Sequence, residues 1–110
     1  MAYDVDLADR LREMLTDQPG VVEKRMFGGV AFLVGGHLAV GASSRGGLML
    51  RVEPGETETL LTEPSAEPFE MRGKAMSGWL RVNVDGSATD EELGRWVERG
   101  LAYVRTLPPK

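Results

Sequence analysis

The sequence is 110 residues long, carries a formal net charge of −4 and contains no cysteine. This length fits one domain, so we assign residues 1–110 to a single domain. The missing thiols exclude disulfides, cysteine nucleophiles and cysteine metal ligands, and the acidic balance argues against tight non-specific binding to nucleic acid. Because the N-terminus does not resemble a signal peptide and no apolar run approaches about 20 residues, we expect a cytoplasmic protein without membrane contact.

A helix is predicted near the N-terminus, at about residues 5–17. Asp4 or Asp6 supplies an N-cap side chain, and the Pro19-Gly20 pair ends the helical pattern. The apolar residues between them recur at helical spacing and form one stripe: Leu7, Leu11, Met14 and Leu15.

Four short apolar segments follow, separated by glycine pairs. Strands are predicted at residues 21–27, 30–34, 38–42 and 48–52. The glycine pairs lie at 28–29, 35–36 and 46–47, where tight turns need positive φ angles. This spacing is typical of an antiparallel meander and not of alternating strands and helices.

The second half of the chain predicts a short helix at about residues 56–62, a partly extended segment at 69–76 and a fifth strand at 79–84. Thr89 and Glu92 match a capping box that opens the last helix. We expect Gly94 and Gly100 in this helix to mark close packing onto the sheet. Its apolar stripe consists of Leu93, Trp96, Val97, Leu101 and Val104.

These elements together predict an α+β fold. An antiparallel meander of about five strands packs against amphipathic N-terminal and C-terminal helices, with a short helix between strands four and five.

Residues for catalysis or metal binding do not form a recognisable pattern. His37 is the single histidine, and we interpret it as an exposed turn residue rather than a metal ligand. The glycine pairs lie between strands and lack the following Lys and Ser or Thr of a phosphate loop. The acidic residues between 53 and 70 are spread over a proline-rich stretch typical of a solvated surface. We therefore expect no enzyme activity, no cofactor and no metal.

The face of the sheet that does not contact the helices is the candidate functional region. If the aliphatic residues of strands four and five face the helices, strand alternation places a mixed set on the opposite side: Leu33, Met49, Arg51, Trp79 and Arg81. Aromatic, Met and Arg side chains together are typical of a protein interface. The competing interpretation, which we weigh equally, is that a loop or the short middle helix covers this face.

A basic sheet face also allows weak nucleic-acid binding, which we favour less because only Trp79 offers an aromatic ring for base stacking. The candidate basic patch consists of Lys24, Arg25, Arg72 and Lys74, and nucleic-acid binding would also use Arg51 and Arg81. The third hypothesis is a small-ligand binder or an unrecognised enzyme, and either function requires a concave pocket.

Four segments in order carry a family resemblance. They are Met26-Phe27-Gly28-Gly29, the strand at 48–52, the segment at 69–76 and the closing helix with Glu92-Leu93 and Trp96-Val97. Together they resemble the N-terminal domain of the TfoX/Sxy family. The resemblance implies an α+β fold and a link to regulators of DNA-uptake competence that act through other proteins rather than by catalysis. We therefore expect a non-catalytic regulatory or protein-interaction domain, whose partner is another protein or a second copy of the chain.

Overall fold

The structure is a computed structural model that describes residues 3–26, 28–71 and 73–109. The predicted α+β class is confirmed. The helices are α1 (Val5–Leu15), α2 (Thr57–Leu60, after a 3₁₀ turn at Pro54–Glu56) and α3 (Asp90–Val104). The strands are β1 (Val21–Met26), β2 (Gly29–Val34), β3 (His37–Ala42), β4 (Leu48–Arg51), β5 (Ala66–Met71) and β6 (Lys74–Val82). None of the helices within the described ranges is long and apolar enough to cross a membrane.

All neighbouring strands pair antiparallel, in the order β1-β2-β3-β4-β6-β5. The first four strands form the predicted meander. The described sheet has six strands rather than about five, because the segment predicted as partly extended contains the end of β5 and the start of β6. Gly73, with a φ of 80°, lies in the turn between them. The longer β6 lies next to β4, so β5 becomes an edge strand.

The predicted N-caps of both long helices are present. The Asp4 carboxylate accepts a hydrogen bond from the Leu7 backbone N–H at 3.1 Å. The Thr89 hydroxyl accepts one from the Glu92 N–H at 3.1 Å. Each bond satisfies a backbone donor that has no partner within its helix. The first helix ends at Leu15, two residues before the predicted end.

Both long helices pack on the same side of the sheet. Their contacts with strands fall mainly on β3 and β4. The large side chains of this layer are almost fully buried and belong to one apolar cluster, which we call the first cluster. Its largest members with less than 2 % exposure are Trp96, Leu7, Leu11, Leu48, Leu50, Leu80 and Leu93.

The two glycines of α3 differ in their surroundings. A Cβ at Gly100 would lie 2.5 Å from the Ala39 carbonyl oxygen, so only glycine lets α3 approach β3 this closely. A Cβ at Gly94 would meet no atom within 4 Å. The prediction of close packing therefore holds for Gly100 and is wrong for Gly94.

Candidate functional site: the second face of the sheet

Strand register defines the side of the sheet opposite the first cluster, which we call the second face. Residues directly opposite each other in paired strands lie on the same side. One row crosses all six strands as Lys24, Ala31, Gly41, Met49, Arg81 and Glu67. Beside it lie Val22, Leu33 and Leu38 on β1 to β3, and Arg51, Trp79 and Phe69 on β4, β6 and β5.

The second face has its own small apolar cluster, which we call the second cluster. Its described members all come from strands: Ala31, Leu38 and Met49 are buried, and Met26, Leu33, Phe69 and Trp79 are half-buried around them. The short middle helix does not cover it among the described residues, since Leu60 and Leu61 pack against the first cluster. Met49 is only 2 % exposed. Met49 is therefore shielded from water within the second cluster, whereas Leu33 and Trp79 remain partly accessible.

Two aromatic rings and an arginine lie together at one end of this face. The rings of Phe69 and Trp79 are 5.7 Å apart and tilted by 31°. The Arg51 guanidinium lies 5.4 Å from the Trp79 ring centroid and 5.8 Å from that of Tyr103 on α3. These distances are in the range of cation–π contacts. The cation of Arg51 thus lies close to two aromatic rings, one on β6 and one on α3.

Arg81 is anchored differently. Its Nη2 donates a hydrogen bond to the Arg45 carbonyl oxygen at 3.2 Å, and its Nε lies 4.0 Å from the Glu67 carboxylate. Glu67 also accepts a hydrogen bond from the Asn83 side-chain amide. Arg81 is therefore partly neutralised within the chain, whereas Arg51 forms no ion pair with any residue that the structure describes.

A family model described as the TfoX N-terminal domain matches residues 13–103. The chain belongs to the TfoX N-terminal domain family. No curated protein and no solved structure matches it. The matched range contains all six strands, so the second face is part of the TfoX N-terminal domain itself.

The structure places all five residues of the candidate interaction face on the second face of this TfoX N-terminal domain. Met49 and Arg81 are cross-strand partners, as are Arg51 and Trp79. Leu33 pairs with Leu38 at the other end of the face.

The candidate basic patch is dispersed. Lys24 lies on the second face, but the next residue, Arg25, is paired with Val30 on the opposite side of the sheet. Lys74 begins β6, four inter-strand spacings from β1, which is about 19 Å. Arg72 lies outside the described residues. The three described cations therefore do not form one contiguous surface.

Sequence reasoning did not assign Phe69 or Val22 to the second face. Phe69 was assigned to a partly extended segment without a strand partner, and the structure places it beside Trp79 on an adjacent strand. Val22 is 61 % exposed on the edge strand β1. Strand alternation in Val22, Lys24 and Met26 is the signal that identifies this side of β1.

His37 is the first residue of β3 and is half-buried, so its assignment as an exposed turn residue is wrong. Its Nε2 donates to the Pro108 carbonyl oxygen at 2.7 Å, which ties the C-terminal segment to the β2–β3 hairpin. Within the described ranges, no group of three or more His, Cys, Asp and Glu side chains could hold a metal ion.

A groove of about 450 Å³ lies on the helical side of this domain. Arg99 borders it, 2.8 Å from the Glu63 carboxylate and with its guanidinium 4.6 Å from the Trp96 ring centroid. Glu53 and Glu56 at its rim are exposed. The groove is lined by Val52, Glu53, Glu56, Leu60, Arg99, Ala102, Tyr103 and Thr106, a set without a histidine, serine or lysine to act beside the carboxylates.

Proposed function

We propose that this TfoX N-terminal domain is a non-catalytic interaction domain that binds a partner protein through the second face. The observation that carries the proposal is the second cluster with its half-buried Leu33, Phe69 and Trp79, whose described members all lie on strands. Aromatic, Met and Arg side chains are enriched in interface cores, and Trp and Arg dominate binding energies there. A regulatory role through other proteins agrees with the family.

Site-specific photo-crosslinking in cells that produce the protein tests this function. A photoreactive residue replaces Leu33, and in a control variant it replaces Glu98, which is exposed on α3. We expect a discrete protein adduct from position 33 and none from position 98. Equal adducts from both positions, or none from position 33, would contradict the proposal.

The purified adduct partner then provides a quantitative test. Trp79→Ala should weaken its binding at least about tenfold, the scale of an interface hot spot. Arg95→Gln, on the exposed side of α3, should leave it unchanged. If the partner is a second copy, sedimentation velocity will show a dimer that Trp79→Ala dissociates.

Single-stranded nucleic acid is a second candidate, because Phe69 and Trp79 lie on adjacent strands as base stacking requires. Its test is fluorescence anisotropy with a labelled oligonucleotide at low salt. The candidate requires an affinity that falls steeply with added salt and is lost in Trp79→Ala. We rank it lower because the sequence pI is about 5.0.

A further inference from the structure

We propose that the occupant of the second face is an acidic amphipathic helix of a partner protein, a proposal that rests on the proposed function. Its carboxylates would pair with Lys24 and Arg51, and its apolar stripe would cover Leu33 and Val22. Charge, spacing and exposed apolar area on the second face each support this choice.

The Arg51 guanidinium is positioned to bind a carboxylate of the partner helix. The rings of Trp79 and Tyr103 fix its guanidinium, while none of the ion pairs among the described residues includes it. A guanidinium stacked on aromatic rings keeps the N–H groups at its edge free to bind a carboxylate with two parallel hydrogen bonds. Because its position is already fixed, less conformational entropy is lost when it binds.

Lys24 provides the second cation, on the other side of the face. It is exposed on β1 and takes no part in the ion pairs of the described chain. Three inter-strand spacings separate β1 from β4, so Lys24 and Arg51 lie on strands about 14 Å apart. An α-helix with its side chains is about 10–12 Å wide. One helix therefore fits between the two cations, with an acidic residue on each flank.

The strands between the cations carry the apolar part of the contact. Leu33 on β2 is half-buried beside its buried cross-strand partner Leu38 on β3, and its other cross-strand partner, Val22, is 61 % exposed. On the helical side of the same sheet, amphipathic helices cover the strands with their apolar stripes. A sheet face with exposed apolar side chains is stabilised in the same way by an added helix layer.

Two other occupants fit these charges less well. A second copy packed face to face would bring the cations Lys24 and Arg51 of both chains into one interface, where like charges repel. Nucleic acid stacked on Phe69 would meet the carboxylate of Glu67, which lies on the second face of the same strand. A protein helix that lies between Lys24 on β1 and Arg51 on β4 does not extend to β5, so its acidic flanks meet the two cations and avoid both repulsions.

Isothermal titration calorimetry of the full chain with two synthetic helices tests the proposal. Both peptides have about 18 residues, enough for roughly 27 Å of helix, and share one Leu/Ala stripe. Glu flanks the stripe in the first peptide and Lys in the second. We expect micromolar binding of the Glu peptide, at least about tenfold weaker binding of the Lys peptide, and loss of affinity with added salt. Equal affinities, or binding of neither peptide, would overturn the proposal.

Charge variants locate the contact. Arg51→Gln should weaken binding of the Glu peptide at least about tenfold, and Arg51→Met, which retains the apolar stem, should do the same. Arg95→Gln is the matched control, since it removes the same charge from an exposed site on α3. A thermal melt of each variant confirms its fold. If Arg95→Gln weakens binding as much as Arg51→Gln, the effect comes from net charge and the proposal is wrong.

The outcomes separate this inference from the proposed function. If the crosslinked partner binds through Leu33 and Trp79 but presents a neutral or basic surface, the interaction domain stands and the acidic helix is refuted. A dimer that Trp79→Ala dissociates likewise supports the interaction domain and refutes the acidic helix. Specific oligonucleotide binding that Trp79→Ala abolishes refutes both the protein-interaction function and the acidic helix.

Discussion

The two faces of this sheet are built from the same six strands, yet they use different side chains. The helical face presents large aliphatic residues such as Leu48, Leu50 and Leu80, which are fully buried beneath α1 and α3. The second face presents small residues at its centre, including Ala31 and Gly41, and half-buried aromatic and cationic residues toward one edge. The helical face therefore carries most of the apolar burial that stabilises the domain, whereas the second face keeps side chains suited to binding.

The largest expected effect comes from the helical face. Trp96 is 1 % exposed in the first cluster. Trp96→Ala removes a large buried side chain and should lower the free energy of unfolding by about 3–5 kcal/mol. Urea denaturation followed by circular dichroism measures it. Unchanged stability would mean that α3 does not bury this residue.

Gly100 and Gly94 test how closely α3 packs onto the sheet. Gly100→Ala should destabilise by about 1–3 kcal/mol, because the added Cβ would lie 2.5 Å from the Ala39 carbonyl oxygen. Gly94→Ala adds a methyl group in open space and should stabilise by up to about 1 kcal/mol through helix propensity. Thermal melts of the two variants compare them directly. Equal shifts of Tm would disprove the close approach at Gly100.

Trp79 on the second face provides the comparison with Trp96 on the helical face. Because it is half-buried against Phe69 and Arg51, Trp79→Ala should cost only about 1–2 kcal/mol, well below the loss at Trp96. The same denaturation experiment measures both variants. A loss as large as that of Trp96→Ala would show that the second face is a second structural core.

The smallest effect is expected at the border of the helical layer, where Arg12 of α1 contacts Glu23 of β1. The Arg12 guanidinium donates two hydrogen bonds to the Glu23 carboxylate, at 2.7 and 2.8 Å, and these bonds hold the pKa of Glu23 below its usual value. The bonds also raise the pKa of Arg12. Both side chains are more than a third exposed, so the pair should contribute no more than about 1 kcal/mol.

This contribution depends on pH in a defined direction. A carboxylate with a lowered folded-state pKa stabilises above its unfolded pKa, about 4.3, and loses that stabilisation as the pH falls through the folded-state value. Glu23→Gln should therefore destabilise at neutral pH and have little effect in acid. Glu98→Gln on α3 is the control. Urea denaturation at neutral and at acidic pH measures the free energy of unfolding of both variants. An equal effect of Glu23→Gln at the two pH values would exclude the ion pair.

The sequence predicted what local chemistry determines. Asp4 and Thr89 identified helix starts because their side chains cap the nearest backbone N–H groups. The alternation around Met49 and Arg51 assigned both residues to the second face. Phe69 was missed because its strand depends on long-range pairing with β6 and an irregular register near Pro68. His37 was misassigned because its partner, the Pro108 carbonyl group, is 71 positions away in the chain.

The arrangement of the tryptophans has an optical consequence. The chain contains two, and they lie on opposite sides of the sheet. Trp96 is 1 % exposed, whereas Trp79 is half-buried and accessible to water. An aqueous quencher should therefore reduce the Trp79 emission first, and an occupant of the second face should protect it without changing Trp96. The intrinsic fluorescence of the protein thus reports separately on its folding and on its binding.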